Sequence, residues 1–197
     1  MYDDMISLPE GFVRDTVSGY HVIYGKEITQ QNIRDALDID YMCYDDIYHL
    51  DWEQCAGYHR KNPYIYIMAV DDEGSVVGYI NFSPVTGKIY DLMRSGKSVD
   101  TIICAEDILE YEEGKDYSVY FSSICVHPDH RGKGIAGMLL NTLIELLRSI
   151  DAAGINIERI VADAVTDSGE RLLTSLGFEV VCMSEHGSKI MERKHNG

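Results

Sequence analysis

The chain predicts one α/β (α+β) domain, a mixed sheet with helices packed against it. Three observations carry that prediction. Strand-type runs form a hairpin between residues 64 and 82, and a strand–helix–strand–helix–strand order follows from 117 to 193. No internal repeat, low-complexity tract or Pro/Ser-rich linker divides the chain. At 197 residues with 45% hydrophobic content it can bury a proper core.

Taken in order, His21–Tyr24 reads as a first short strand. Thr29 is placed to cap a helix over residues 30–41, and Asp51 a second over roughly 51–60. Pro63 punctuates, and Tyr64–Val70 is a β-rich run. Asp71-Asp72-Glu73-Gly74 makes a turn, from which Ser75–Phe82 returns as partner strand. Ile89–Arg94 predicts a short helix ending before Gly96. The stretch Thr101–Glu113 mixes apolar and acidic residues without a clean period, so its structure stays open.

Tyr117–Val126, rich in aromatic, β-branched and small residues, predicts a central strand. Ala136, Leu139, Leu140, Leu143, Leu146, Leu147 and Ile150 keep helical spacing, with Gly154 just past the end. Arg159–Val165 reads as a buried strand and Ser168–Leu176 as a short helix ended by Gly177. Phe178–Met183, a turn at His186-Gly187 and Ser188–Arg193 complete the sheet.

The formal net charge of -16 argues against nucleic acid and anionic membrane surfaces, which are held by surplus Lys and Arg. It suits a cationic substrate, or serves solubility alone. The five cysteines are odd in number and include no C-x-x-C pair, as expected of free thiols in a reducing cytoplasm. Met1–Met5 is acidic and carries no apolar h-region, and no apolar run approaches a membrane span.

Against this acidic background, Val126–Ala136 is a local exception. It reads as a strand end, a basic glycine-rich loop and a helix start. Such a loop aims unpaired backbone N–H groups and the positive helix end at one point, which makes a seat for phosphate. Gly132-Lys133-Gly134 lacks the spacing of a nucleotide-hydrolysing P-loop. His127 and His130 have Pro128 between them and no third ligand nearby, so no metal is expected.

Three features together resemble the GNAT superfamily of acyl-CoA-dependent N-acetyltransferases. Arg131-Gly132-Lys133-Gly134-Ile135-Ala136 matches the family's [Q/R]-x-x-G-x-[G/A] loop. Ile124-Cys125-Val126-His127-Pro128 is similar to the strand that leads into it. Leu172-Leu173-Thr174-Ser175-Leu176-Gly177-Phe178-Glu179 is similar to its last helix and "LGF" turn. The resemblance covers roughly residues 64–193, with 1–60 matching in outline as the variable acceptor side.

The resemblance implies a central, mostly antiparallel sheet that splays open at the cofactor strand. Acetyl-CoA would be the cosubstrate, its diphosphate on the backbone of Arg131, Gly132, Lys133, Gly134, Ile135 and Ala136. Its pantetheine arm would pair with Ile124, Cys125 and Val126 as an added strand. The acceptor would be a small-molecule or peptide amine, attacking directly in a ternary complex. Edge strands of this fold often pair between subunits, so a homodimer stays open.

Two departures stand out. The Tyr that many members use to protonate the thiolate corresponds here to Leu173, and an Asn that opens the same helix corresponds to Thr166. Thr174 is rotated about 100° from the missing Tyr and is a poor substitute. The positions where members place a base are Tyr120 and Ser122, which share one face of the strand and are not strong bases. A non-catalytic acyl-CoA-binding module is therefore the rival reading.

Asp38–Glu53 holds six acids and no Lys or Arg, with Tyr41, Tyr44, Tyr48 and Trp52 interleaved. It reads either as part of an acceptor cleft for a protonated amine or as a solvated acidic face with its aromatics turned inward. Cys125, beside the expected thioester position, reads as a small core residue rather than an acyl carrier.

Overall fold

The computed structural model describes residues 6–8, 10, 12–14 and 17–194. The Met1–Met5 reading lies outside them. Seven strands form one sheet in the order β1-β2-β3-β4-β5-β7-β6. They are β1 (Tyr20–Tyr24), β2 (Tyr66–Asp71), β3 (Val76–Val85), β4 (Asp116–Val126), β5 (Asn156–Ala164), β6 (Glu179–Met183) and β7 (Lys189–Lys194). Only β4 and β5 pair in parallel, and every other pair is antiparallel. Among the described residues five α-helices accompany them: α1 (Gln30–Cys43), α2 (Trp52–Lys61), α3 (Gly87–Arg94), α4 (Ile135–Ala152) and α5 (Asp167–Ser175).

The sheet is sandwiched. On one face α4 and α5 pack through Ile135, Leu139, Leu143, Leu146 and Leu173 against Val77, Ile80 and Phe121. On the other, α1, α2 and α3 pack through Ile33, Tyr58, Tyr90 and Met93 against Met68, Tyr79 and Val161. The middle strands are covered on both sides, which explains why every residue of β3 is buried.

Local chemistry sets the element ends. Thr29 accepts from the Asn32 amide and Asp51 from the Gln54 amide, so both helices start where a capping side chain is available. Asp71 Oδ1 accepts from the amides of Glu73 and Ser75, and Gly74 takes φ +85°, which closes the first hairpin. Tyr64 and Ile65 correct the strand reading. They lie in a 3-10 turn, because the Asn62 side chain accepts from Tyr64 N and Pro63 sits at its start. Ala136 is a second correction. It is exposed beside the β4–β5 gap rather than on the buried stripe of α4.

The open stretch after β3 is irregular, with short 3-10 turns at Asp100–Ile102 and Ala105–Asp107. It is tied down by a bridge from Val85 to Ile108 and by Thr86 N and Leu109 N donating to Asp107 O and Pro84 O. This drapes Asp100 over the α1–α3 face of the sheet.

Two irregularities in β4 position the site. Pairing with β3 shifts between Asn81/Ser123 and Phe82/Phe121, leaving Ser122 as an extra bulged residue. Tyr117, Val119 and Phe121 therefore share the α4 side with Ile124 and Val126, while Tyr120 and Cys125 face α1. Pairing with β5 ends at Phe121↔Ala162, while β5 continues along β7 through Ala164. From Ser122 onward the two parallel strands diverge.

Candidate active site

The divergence opens a cleft of about 320 Å³, walled by Ser122–Ile124, Val126 and Ala136 on one side and Thr166, Ser168 and Leu173 on the other. His127 N donates to Val77 O, so the antiparallel alternation turns the N–H and C=O groups of Ile124 and Val126 toward this gap. An extended ligand can add here as a strand.

The basic loop runs from Val126 into α4, and Val126 and Ala136 at its two ends line the cleft. Gly132 and Gly134 hold φ +75° and +88°, a region that penalises any other side chain. A Cβ on Gly132 would meet nothing within 4 Å, so the backbone faces open space. Gly134 is the N-cap of α4 and brings no side chain to the first helical N–H groups. They are left to accept an anion.

The loop's side chains are engaged within the protein. Arg131 Nε donates to Val126 O at 3.1 Å, and its Nη2 lies 3.3 Å from Cys43 Sγ. Lys133 Nζ and His130 Nδ1 both contact the Tyr20 hydroxyl, at 3.2 and 2.9 Å. The predicted loop residues thus meet at one place through backbone rather than side chains. A hydrogen bond from Cys125 and the Arg131 guanidinium bring the Cys43 thiol down to about 6, against its burial.

A second, narrower cavity lies on the α1–α3 face. Tyr120 and Ser122 both line it, together with Asp40, Tyr48, Tyr79, Asn81, Ser83, Asp100 and Asp163. Asn81 Oδ1 accepts from the hydroxyls of Ser83 and Ser122, each at 2.8 Å. Tyr79 donates to Asp40 Oδ1. Burial raises all three carboxyls above their ordinary range. For Asp40 the Tyr79 bond works against the rise, and for Asp163 a bond from Ser188 does. For Asp100 the Asp40 charge adds to burial, and the carboxyl reaches about 7. Oδ1 of Asp100 and Oδ1 of Asp163 are buried without a hydrogen-bond partner among the described residues.

The two cavities share the residues Tyr44, Ser122, Ser123, Asp163 and Val165, so they meet there. Tyr44 follows α1 and reaches over the open edge of β4, its hydroxyl 3.4 Å from Ile124 O. Burial raises the Tyr44 and Tyr120 phenols well above 10, so each keeps its proton. Leu173 lines the cofactor-side cleft and offers no proton, as its sequence position implied.

The acidic segment divides between its two readings. Asp40, Tyr44 and Tyr48 turn into the inner cavity. Tyr41 is exposed and donates to Leu50 O, and the Trp52 ring is covered by the Arg34 guanidinium at 3.8 Å. Sequence reasoning missed Asp100 and Asp163. For Asp163 a signal existed, a carboxylate between Ala162 and Ala164 in a strand read as buried.

A splayed parallel strand pair, a bulge beside it and a glycine loop opening the next helix coincide with a match to the Acetyltransferase (GNAT) family over residues 29–178. The chain belongs to the GNAT family. Solved structures of other proteins superpose along its length. Ard1 from Thermoplasma volcanium does so with TM-score 0.60 at 15% identity, over 91% of this chain and 99% of that one. The loading GNATL domain of CurA from Lyngbya majuscula gives 0.63 at 13%, over 89% and 97%. Arabidopsis thaliana NAA60, solved with a bisubstrate analogue, gives 0.59 at 14%, over 90% and 99%. At these identities the likeness establishes the fold. No curated protein sequence matches this GNAT chain. Among the described residues, no helix is long and apolar enough to cross a membrane.

Proposed function

We propose that this chain is an acetyl-CoA-dependent N-acetyltransferase that moves an acetyl group to a primary amine by direct attack. The observation that carries the reading is the meeting of two cavities at Tyr44, Ser122, Ser123, Asp163 and Val165. One is open along a strand edge and ends at an uncapped glycine loop, and the other is lined with carboxylates.

The residues present fit the cosubstrate. The backbone from Arg131 to Ala136 would hold the diphosphate, and the edge of β4 from Ile124 to Val126, which β5 leaves unpaired, would pair the pantetheine arm. Acetyl-CoA supplies an activated acyl carbon, and the chain supplies position and proton transfer. The amine nitrogen forms its bond to the acyl carbon as the carbon–sulfur bond breaks. Asp163, at the junction and raised by burial, takes the proton the nitrogen loses. Tyr44 gives a proton to the departing sulfur, the role Leu173 cannot fill. Tyr120 and Ser122 line the acceptor side, where the protonated phenol and the Asn81-bound hydroxyl orient the amine. All five cysteines are free, which supports a reducing cytoplasm as the setting.

Thiol release from acetyl-CoA across an amine panel tests the reading. Amine-dependent release supports it. Tight coenzyme A binding with no release on any amine would establish the rival, a non-catalytic acyl-CoA-binding module.

A further inference from the structure

The inner cavity holds more carboxyl groups than amine acetylation requires. Asp40, Asp100 and Asp163 all line it, and the charges on Asp40 and Asp163 both act on Asp100. Asp40 is satisfied by Tyr79. Asp100 is 8% exposed, and its Oδ1 is buried without a partner among the described residues. A buried carboxylate oxygen left in that state is costly unless a donor arrives.

The reacting nitrogen cannot be that donor at the moment of transfer, because it must be neutral to attack. Asp163 already stands beside it at the junction, whereas Asp100 lines only the inner cavity and not the cofactor cleft. The unpartnered Asp100 therefore addresses a second positive group on the same acceptor. The space between is narrow, about 50 Å³, or room for about four waters. Tyr48, Tyr58, Tyr66 and Tyr120 are among the residues that line it. So small a space suits a slender methylene chain better than a sugar ring or a peptide backbone.

We infer that the acceptor is a small linear aliphatic di- or polyamine, bound with one ammonium on Asp100, supported by Asp40, and the other nitrogen presented at the Tyr44–Asp163 junction. The inference rests on the acetyl-transfer reading for its orientation, but it makes its own claim about binding.

The test is calorimetric titration of the protein, with coenzyme A present, by 1,4-diaminobutane, 1,5-diaminopentane and n-pentylamine. The diamines bind, and pentylamine binds more weakly by about 30-fold or more, the loss expected when a buried charge partner is removed. Asp100→Asn weakens diamine binding by a similar factor. Equal affinity for pentylamine and the diamines overturns the inference, as does a folded Asp100→Asn protein with wild-type diamine affinity. If Asp100→Asn does not fold, the wild-type comparison decides alone. Thiol release is read in parallel. Acetylation of pentylamine as efficient as that of the diamines would leave the transfer reading standing and overturn this one. Asp100-dependent diamine binding without thiol release would do the reverse.

Discussion

The hydroxyl of Tyr44 lies 3.4 Å from the carbonyl oxygen of Ile124, so a residue just past α1 reaches the open edge of β4. Both residues line the cleft at the point where a strand-paired thioester would end. Under the proposed function, Tyr44 would supply from the opposite side of the sheet the proton donor that α5 lacks at Leu173.

Tyr44→Phe is expected to lower kcat about 100-fold, the usual scale of a positioned acid. Coenzyme A affinity, measured by calorimetry, should stay near wild type, because the phenyl ring still fills the junction. A variant with unchanged kcat under conditions where chemistry is rate-limiting would remove Tyr44 from the mechanism.

Gly134→Asp should abolish coenzyme A binding, by setting a negative side chain at the uncapped start of α4. Gly134→Ala is the control, since both variants bear the strain of φ +88°. Calorimetry should find binding retained in the alanine protein and lost in the aspartate one. Equal loss in both would point to strain rather than charge.

Cys43 should be the first thiol alkylated by iodoacetamide at neutral pH. Held at about 6, it is largely thiolate there, whereas burial pushes Cys55 up to about 12 and Asp107 raises the exposed Cys104. Peptide mass spectrometry after brief labelling reads the order. Arg131→Ala should slow Cys43, because the guanidinium at 3.3 Å stabilises its charge. Faster labelling of Cys104 would contradict the assignment.

Asp100 makes stability depend on pH. Its carboxyl moves from the ordinary 3.8 to about 7 on folding, mainly through burial, so between those values the folded chain holds the extra proton. Stability should fall as pH rises across that window and level off above it. Asp100→Asn removes this contribution. Urea unfolding at about pH 5 and about pH 8 should show the difference between variant and wild type moving in the variant's favour, by at most about 3 kcal/mol. No change between the two pH values would mean that Asp100 is solvated in the fold.

The cofactor side was legible in the sequence because it depends on backbone. Positive φ needs glycine, and Gly132 and Gly134 stand where the loop turns. Thr29 and Asp51 likewise announced their helices, because a cap is a local interaction. The acceptor side depends on which distant segments meet. Asp100 comes from a stretch without period, fixed only by long-range bonds such as Leu109 N to Pro84 O. Tyr64 and Ile65 have strand composition, yet one side-chain bond from Asn62 outweighed it.

The extra residue at Ser122 changes the parity of β4. Before it, odd-numbered side chains look toward α4, and after it even-numbered ones do. Counting alternation from either end of the strand therefore gives the wrong side for the other half. Deleting Ser122 would let Phe121 and Ser123 pair in succession with Phe82 and Asn81, keeping Ile124 and Cys125 on their present faces while removing the bulge where the two cavities meet. Comparisons with relatives across this strand need to be anchored on both sides of the bulge separately.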